Sequence, residues 1–584
     1  MAAAEAPQSR DALRAISLAA VLICAKALTL IGRAIPLSAW TPIAYFWQDV
    51  CIALVFFAAD RALKRPAVAW IAYAALAVYA AINVPITLVL STPLTKTMMR
   101  AARGPLADGV LHTATPRNVV MLLAPIALAI ALPIILRRRR VTVRSWAVAV
   151  AAGITAIGPF ASARVPTLGL HRSALGALIE TSLPRVEPVA ADADWRASPF
   201  PSAGVDDLSA LRGSMRGKNV VIAVLESTGA RHLRMYGAAA DPMPNLTALA
   251  RRSIVIERAY AVYPESIKGL FATLCSRYPA FDTAPEVYAG APCAPLPRHL
   301  GKAGYRSALF HSGRFDYLGM RAMIDRRGFD LLEDAGAIGG NVESSFGVDD
   351  ASTVRRALQW IASLEGQPFL LTYLPISGHH PYEATVPGPF RGRDDFTRYL
   401  NSLHEADAAL GALLDGLRTL GLADDTVVFV FGDHGEAFGE RPGNFAHTLF
   451  IHEENVRVPY VIALPGAAAR ERRLSRTGSA IDTAPTILDL LGLPADSLHQ
   501  GASLLRPEPR MALYFTDYSI GWLGLTDGCW KYVYEIDAGR SRLYDICADP
   551  GESIDRADAS AARVAAYRDR VQTWAAAQRA DVRR

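Results

Sequence analysis

The sequence predicts two unlike parts: an N-terminal bundle of five transmembrane helices, then an α/β domain built on a mainly parallel central sheet. Three observations predict this. Apolar residues make up 51% of the 584-residue chain and crowd before about residue 165. After residue 218, short β-rich runs alternate with helical stretches. The polar residues able to do chemistry fall just past the ends of those runs. The length also exceeds one ordinary domain.

Apolar segments cover approximately 12–32, 41–59, 67–91, 118–136 and 145–163. Each is near the ~20 residues a helix needs to cross a bilayer. A cleaved signal peptide would give a single such stretch and a small-residue site. The loop 60–66 holds Arg61, Lys64 and Arg65, and the loop 137–144 holds Arg137, Arg138, Arg139, Arg140 and Arg144. Basic loops stay cytoplasmic. The expectation is therefore a multi-pass protein of the inner (cytoplasmic) membrane, with a cytoplasmic N-terminus and a periplasmic or extracellular C-terminal domain. Thr95–Arg103 reads as an amphipathic helix on the membrane surface, or as a plain linker. Lys26, Asp49 and Asn83 reach a similar depth in their helices. Intramembrane charges usually face one another or a wet cavity. The three form either a polar cluster open to the outside, where a lipid head group enters, or a pair that only holds helices together.

The boundaries expected are 1–163 for the membrane domain, 164–217 for a Pro/Ala/Ser-rich linker with one short helix, and 218–584 for the exported domain. The net charge of +6 is small and its arginines are dispersed, so nucleic acid is not an expected partner. Of the exported cysteines, Cys275–Cys293 and Cys529–Cys547 are the favoured pairs, each closing a short loop; four free thiols is the alternative.

In the exported part the strand-like runs are Asn219–Leu225, Ser307–Phe310, Phe369–Leu374, Thr426–Phe431 and Tyr460–Leu464. Helical stretches cover 244–252, 269–276, 350–364 and 396–419. Continuous apolar strands separated by helices indicate a parallel sheet covered on both faces. Glu226 follows the first run and His311 the second; Gly378, His379 and His380 come after the third, and Asp433 and His434 follow the fourth. Ligands of open α/β sheets bind beyond the strand carboxyl ends. Glu226, Asp433 and His434 offer oxygen and nitrogen together, a set that suits Zn²⁺ or Mn²⁺, with Mg²⁺ also possible. Such a metal acts as a Lewis acid on a phosphoryl or sulfuryl oxygen. His311, His379 and His447 can bind charged oxygens or pass a proton. Ser266 stands just before a helical stretch, where a helix N-terminus favours an oxyanion, and Lys268 adds positive charge. Its bland reading is a helix N-cap.

These residues resemble the sulfatase-like branch of the alkaline-phosphatase superfamily, from about Lys218 to Gly551. The resemblance is carried by Val224-Leu-Glu-Ser through Tyr236-Gly, Pro244-Asn-Leu-Thr, Gly432-Asp-His-Gly-Glu436 with Phe438-Gly-Glu440, Asn455-Val-Arg-Val-Pro459, Ile481 to Leu491, and Leu543 to Pro550. Membrane helices before such a domain are similar to the phosphoethanolamine transferases and lipoteichoic acid synthases. Those imply a glutamate at the first metal position, matched by Glu226, and a threonine nucleophile, where this chain has Ser266. A formylglycine motif would need Pro and Arg after the nucleophile, but Ile-Lys-Gly-Leu follows Ser266. The metal set implied is Glu226, Ser266, Asp433 and His434. Ser377 to Tyr382 resembles a substrate-contacting segment, favouring His379 over His380. Phe310 to Asp316 is similar to a head-group-binding turn and brings in His311 and Arg314. His447 matches a histidine near the leaving group.

The resulting expectation is a phosphotransferase. It passes a phosphoethanolamine- or phosphoglycerol-type head group from a membrane phospholipid to a lipid or glycan acceptor through a covalent Ser266 intermediate. The expected protein is a monomer. One alternative is a membrane-bound sulfatase or phosphodiesterase; another is a non-catalytic metal-binding membrane protein.

Overall fold

The structure is a computed structural model that describes residues 11–63, 65–101, 113–137, 143–188, 195–201, 206–342, 344 and 346–582. Lys64, Arg103 and Arg138–Arg140, part of the charge pattern read above, lie outside the described residues.

Five helices are long and apolar enough to cross a membrane. They are α1 (Asp11–Thr29), α2 (Thr41–Leu63), α3 (Pro66–Leu90), α5 (Pro116–Leu136) and α6 (Ser145–Arg164), with the short α4 (Lys96–Ala101) between α3 and α5. Helix α1 packs on α2, α3 and α5, and α2 on α6. Leu18, Leu22, Phe56, Tyr73 and Val84 fill their contact. The polar cluster exists, but not as a doorway. Lys26 Nζ lies 3.8 Å from Asp49 and donates to the carbonyls of Leu170, at 3.0 Å, and of Arg172. Asn83 accepts from the amide of Leu94 at 2.7 Å. The cavity they line holds about 30 Å³, room for one water and not a head group. The pair therefore holds helices and linker together.

Helix α4 begins at Lys96 and is tied to the C-terminal domain: Thr95 Oγ1 donates to the Tyr518 carbonyl at 2.9 Å. The segment read as a linker is a built joint. It contains α7 (Ala174–Glu180), capped by Ser173. Buried Arg172 donates to the Ser519 carbonyl, and Arg185 to Asp282 and to the carbonyls of Asp517 and Ser519.

The C-terminal domain is organised by one nine-stranded sheet. Its strands are β1 (Asn219–Leu225), β2 (Ile254–Tyr260), β3 (Arg306–His311), β4 (Leu331–Glu333), β5 (Phe369–Leu374), β6 (Thr426–Gly432), β9 (Arg457–Val458), β10 (Tyr460–Ala463) and β11 (Arg472–Ser479). The order is β11-β2-β10-β6-β1-β5-β3-β4, with β9 paired to β2. The pairs β6-β1-β5-β3-β4 are parallel, as is β2-β11, whereas β10 runs antiparallel between β2 and β6. Every residue of β1, β5 and β6 is buried, because helices cover both faces. On one face lie α9 (Ser266–Cys275) and α12 (Thr483–Leu491), through Ile267, Leu270, Ile487 and Leu490. On the other lie α8 (Pro244–Ala250), α10 (Asp350–Ala362) and α11 (Asp395–Thr419), through Leu246, Val354, Leu403 and Leu410.

A second, antiparallel sheet of four strands follows: β12 (Met511–Thr516), β13 (Trp522–Asp527), β14 (Trp530–Glu535) and β15 (Arg540–Asp545), backed by α13 (Ala561–Asp581). A small hairpin, β7 (Ala437–Phe438) with β8 (Phe445–Ala446), lies between β6 and β9. The strand reading missed β2 and β11, whose Ile-Val-Ile-Glu-Arg-Ala-Tyr and Arg-Arg-Leu-Ser-Arg-Thr-Gly-Ser runs mix charge with apolar residues. Both favoured disulfides are present, Cys275–Cys293 and Cys529–Cys547.

Candidate active site and metal centre

The site starts from strand register. Strands β1 and β6 are parallel and pair Leu225 with Gly432, so the next residue of each, Glu226 and Asp433, emerges side by side at the carboxyl edge. Asp433 Oδ1 accepts from the amides of Ser227, at 2.9 Å, and of His434, at 2.7 Å. Its other oxygen lies 3.4 Å from His434 Nε2, and Glu226 Oε1 lies 3.6 Å from the same nitrogen. His434 Nδ1 faces the carbonyl of Gly435 at 3.0 Å. A carbonyl only accepts, so Nδ1 carries the proton and Nε2 presents its lone pair. An imidazole nitrogen and two carboxylates converge here in a buried space. Burial and the neighbouring Glu226 charge push the Asp433 carboxyl well above its ordinary range. The arrangement fits a divalent metal on chemical grounds: the donors are of the right kinds, and a cation removes their mutual repulsion.

The nucleophile candidate is in place. Helix α9 is capped by Glu265, whose side chain accepts from the Ile267 amide. Ser266 is therefore the first helical residue rather than the cap, and its Oγ donates to Glu226 Oε2 at 3.0 Å. Lys268 does not supply charge to Ser266. Its ammonium sits 2.9 and 3.0 Å from the two oxygens of Asp517 and over the ring of Tyr263. Two steps along a helix point to different sides, which is why a residue so near in sequence turns away.

His447 is brought to the site by the turn after β8. Its ring stacks on His434 with centroids 4.0 Å apart, and its Nδ1 lies 2.7 Å from Glu436 Oε2. Burial pushes His447 well below the usual histidine range. The hydroxyl of Tyr382 donates to the other oxygen of Glu436 at 2.9 Å. Glu436 and Tyr382 were not among the residues assigned to the site from sequence. The spacing of Glu436, two after His434 in an extended run, was the available signal, because alternate residues of extended chain share a side. The result is two overlapping donor sets, Glu226–Asp433–His434 and His434–Glu436–His447.

The substrate-binding candidates divide. His311 is buried, faces the Leu374 carbonyl through Nδ1 at 3.1 Å and stacks on Phe315. His379 faces the His380 carbonyl at 2.7 Å and packs on Phe346 with centroids 4.7 Å apart. Burial opposes the Glu226 charge, but the surrounding histidines His434, His379 and His447 hold its carboxyl below the ordinary range, so His379 stands within electrostatic reach of the donor set. His380 lies edge-on to Tyr382. Arg314 makes no hydrogen bond or ion pair through its side chain with another described residue. The rim also includes Tyr317, edge-on to both Phe346 and His379, and α4 packs against the turn Tyr317–Gly319.

Fold and site together define an alkaline-phosphatase-like fold with, at its strand ends, a corner of groups that could hold a metal. Residues 218–493, just under half of the chain, match the Sulfatase family model. The chain is similar to the lipoteichoic acid synthase-like protein YvgJ of Bacillus subtilis, 23% identical over 48% of this chain and 48% of that protein. It is also similar to a choline-sulfatase of Rhizobium meliloti, 33% identical over 30% of this chain and 37% of that one. It thus spans about half the length, or less, of these curated relatives. Among solved structures, a protein of the alkaline phosphatase superfamily from Vibrio parahaemolyticus shares the fold. The TM-score is 0.54 at 21% identity, over 65% of this chain and 90% of that one.

Proposed function

We propose that this protein transfers a phospho-head-group, of phosphoethanolamine or phosphoglycerol type, from a membrane phospholipid to a lipid or glycan acceptor. The observation that carries the reading is the Ser266 hydroxyl at a helix N-terminus, bonded to Glu226 inside the donor set, in a site whose rim is touched by α4 from the membrane part. Glu226, Ser266, Asp433 and His434 would hold one divalent metal, Zn²⁺ or Mn²⁺ with Mg²⁺ also suitable. When bound, it supplies Lewis acidity toward a phosphoryl oxygen. Ser266 Oγ forms a bond to phosphorus, the bond from phosphorus to the diacylglycerol oxygen breaks, and the Ser266 proton leaves through its Glu226 contact. The departing oxygen takes up that proton; in the second half the acceptor oxygen bonds to phosphorus, the Ser266 Oγ–phosphorus bond breaks, and neutral His447, oriented by Glu436, takes the acceptor proton, which returns to Ser266 Oγ. His311, His379 and Arg314 are the groups available to hold the head group.

This reading places residues 1–163 in the inner membrane with a cytoplasmic N-terminus, and 218–584 on the outer side, so that an anchored site meets lipid at the bilayer surface. The choline-sulfatase likeness favours a second reading, hydrolysis of a sulfate or phosphate ester with water as acceptor. Incubating the full chain with phosphatidylethanolamine or phosphatidylglycerol labelled in the head group separates the two. Transfer predicts diacylglycerol release and a labelled adduct on Ser266. Consumption of an aryl sulfate with neither lipid touched would sink the transferase.

A further inference from the structure

A cavity of about 330 Å³ lies between the membrane helices and the second sheet, and shares no residue with the catalytic corner. The end of α6, Trp47 and Gln48 of α2, the joint around α7 and the β13–β14 sheet all contribute to its wall. Its volume is at the lower end of small-molecule sites and suits a compact head group.

The lining has a definite chemistry. It carries three carboxylates, Glu180, Glu535 and Asp537, against one guanidinium, Arg540. Glu535 is neutralised by Arg542 at 2.6 Å and Arg540 at 3.8 Å. Glu180 and Asp537 make no direct ion pair among the described residues, although the Arg172 and Arg185 guanidiniums lie within electrostatic reach of both. Glu180 accepts from the Gln48 amide at 2.9 Å, and Asp537 from the Gly521 amide at 3.3 Å. Burial pushes the Glu180 carboxyl upward against the pull of Arg172. Two indoles line the same space; an indole face attracts an ammonium, and that of Trp47 is the one available, since Trp522 already carries the Arg542 guanidinium over its ring. Arg540 spans the junction by donating to the Ala163 carbonyl at 2.9 Å, which puts a guanidinium where the C-terminal domain meets the end of α6.

We infer that this cavity is a binding site for the head group of a zwitterionic aminophospholipid. Its ammonium is held by Glu180 and Asp537 beside Trp47, and its phosphate lies toward Arg540. Position argues for a lipid over a soluble amine. The cavity opens at the end of α6 and beside Trp47, where indoles favour the bilayer interface. An aliphatic chain leaving the head group would run along membrane-crossing helices. The inference does not depend on the reaction at Ser266.

The test measures binding, not turnover. The full-length chain, wild type and Ser266→Ala, is reconstituted in nanodiscs of equal parts phosphatidylethanolamine and phosphatidylglycerol, and retained lipid is counted by native mass spectrometry. The expected result is about tenfold enrichment of retained phosphatidylethanolamine in both proteins. The enrichment should vanish in Glu180→Gln/Asp537→Asn. Asp537→Asn alone, on an exposed turn, serves as the variant that leaves folding intact and should lower the enrichment severalfold. Equal retention of the two lipids by wild type, or undiminished enrichment in both variants, overturns the site. Loss of enrichment to excess free ethanolamine overturns its assignment to a lipid. A Ser266→Ala protein that keeps the enrichment while wild type transfers nothing would count against the proposed reaction and leave this site standing.

Discussion

Two buried charged clusters lie near each other in the C-terminal domain and are built in opposite ways. In one, Lys531 touches Glu453 at 3.0 Å and Glu552 at 2.6 Å, His452 bonds Glu552 at 2.9 Å, and Arg441 bonds Glu454 and Glu552 at 2.9 Å each. Each carboxylate has a cation. In the other, Glu226 and Asp433 face His434 Nε2, and Glu226 accepts from the hydroxyls of Ser266 and Ser227. Both clusters are buried, and burial penalises charge equally in each. The compensated cluster ties the active-site hairpin to the second sheet and has no need of a ligand. The uncompensated one is costly as it stands, and that cost is what a bound cation relieves. Buried charge therefore marks function here only where its partner is missing.

The comparison breaks most sharply on activity. Ser266→Ala should lower turnover about 10³-fold or more while leaving the thermal midpoint near wild type. Asp433→Ala should lose the metal as well, read by elemental analysis; full stoichiometry would remove Asp433 from the centre. In the compensated cluster the larger effect is on stability. Lys531→Met leaves Glu453 and Glu552 short of their cation and should cost ~3–5 kcal/mol in denaturant unfolding, with metal content unchanged in whatever remains folded.

A third prediction sets the clusters directly against each other. In chelator, Asp433→Asn removes a like charge from an unrelieved pair and should raise stability by about 1 kcal/mol, whereas Glu552→Gln should lower it. The same sign for both would dissolve the distinction. Adding metal should stabilise wild type and not Asp433→Asn.

The smallest effect is on acid stability. Burial opposes the Glu552 charge, but Lys531, His452 and Arg441 hold its carboxyl well below the ordinary 4.5. A depressed carboxyl contributes its full stability above the unfolded value and loses it as pH falls toward the folded one. Stability should therefore hold from neutral pH to about 5 and decline below, and Glu552→Gln should flatten that decline. An equal slope in the variant would assign acid sensitivity elsewhere.

Much of this was legible along the chain. The membrane spans were, because a bilayer demands long apolar runs whatever packs beside them. Glu226, Asp433 and His434 were, because they follow apolar β runs at once. Lys268 was misread because sequence proximity to Ser266 says nothing of helix side. Its partner Asp517 lies 249 residues away. Strand β11 escaped notice because its edge position tolerates the charges that disguise it. The Pro/Ala/Ser-rich stretch around Arg172 read as a linker, although it is clamped by hydrogen bonds to α1 and to Ser519.

By itself the sequence determined the two-part architecture, the strand ends that carry ligands and the likeness to sulfatase-type enzymes. These depend on local patterns of hydrophobicity and on residue types at short spacing. Only the tertiary structure decided which groups meet. It turned Lys268 to Asp517, set Glu436 behind His447, closed the Lys26–Asp49 cluster to head groups and opened a cavity beside Glu180 and Asp537. Those outcomes depend on strand register, helix rotation and the docking of the N-terminal helices on the C-terminal domain. Each is set by packing between residues far apart in the chain, which no local pattern encodes.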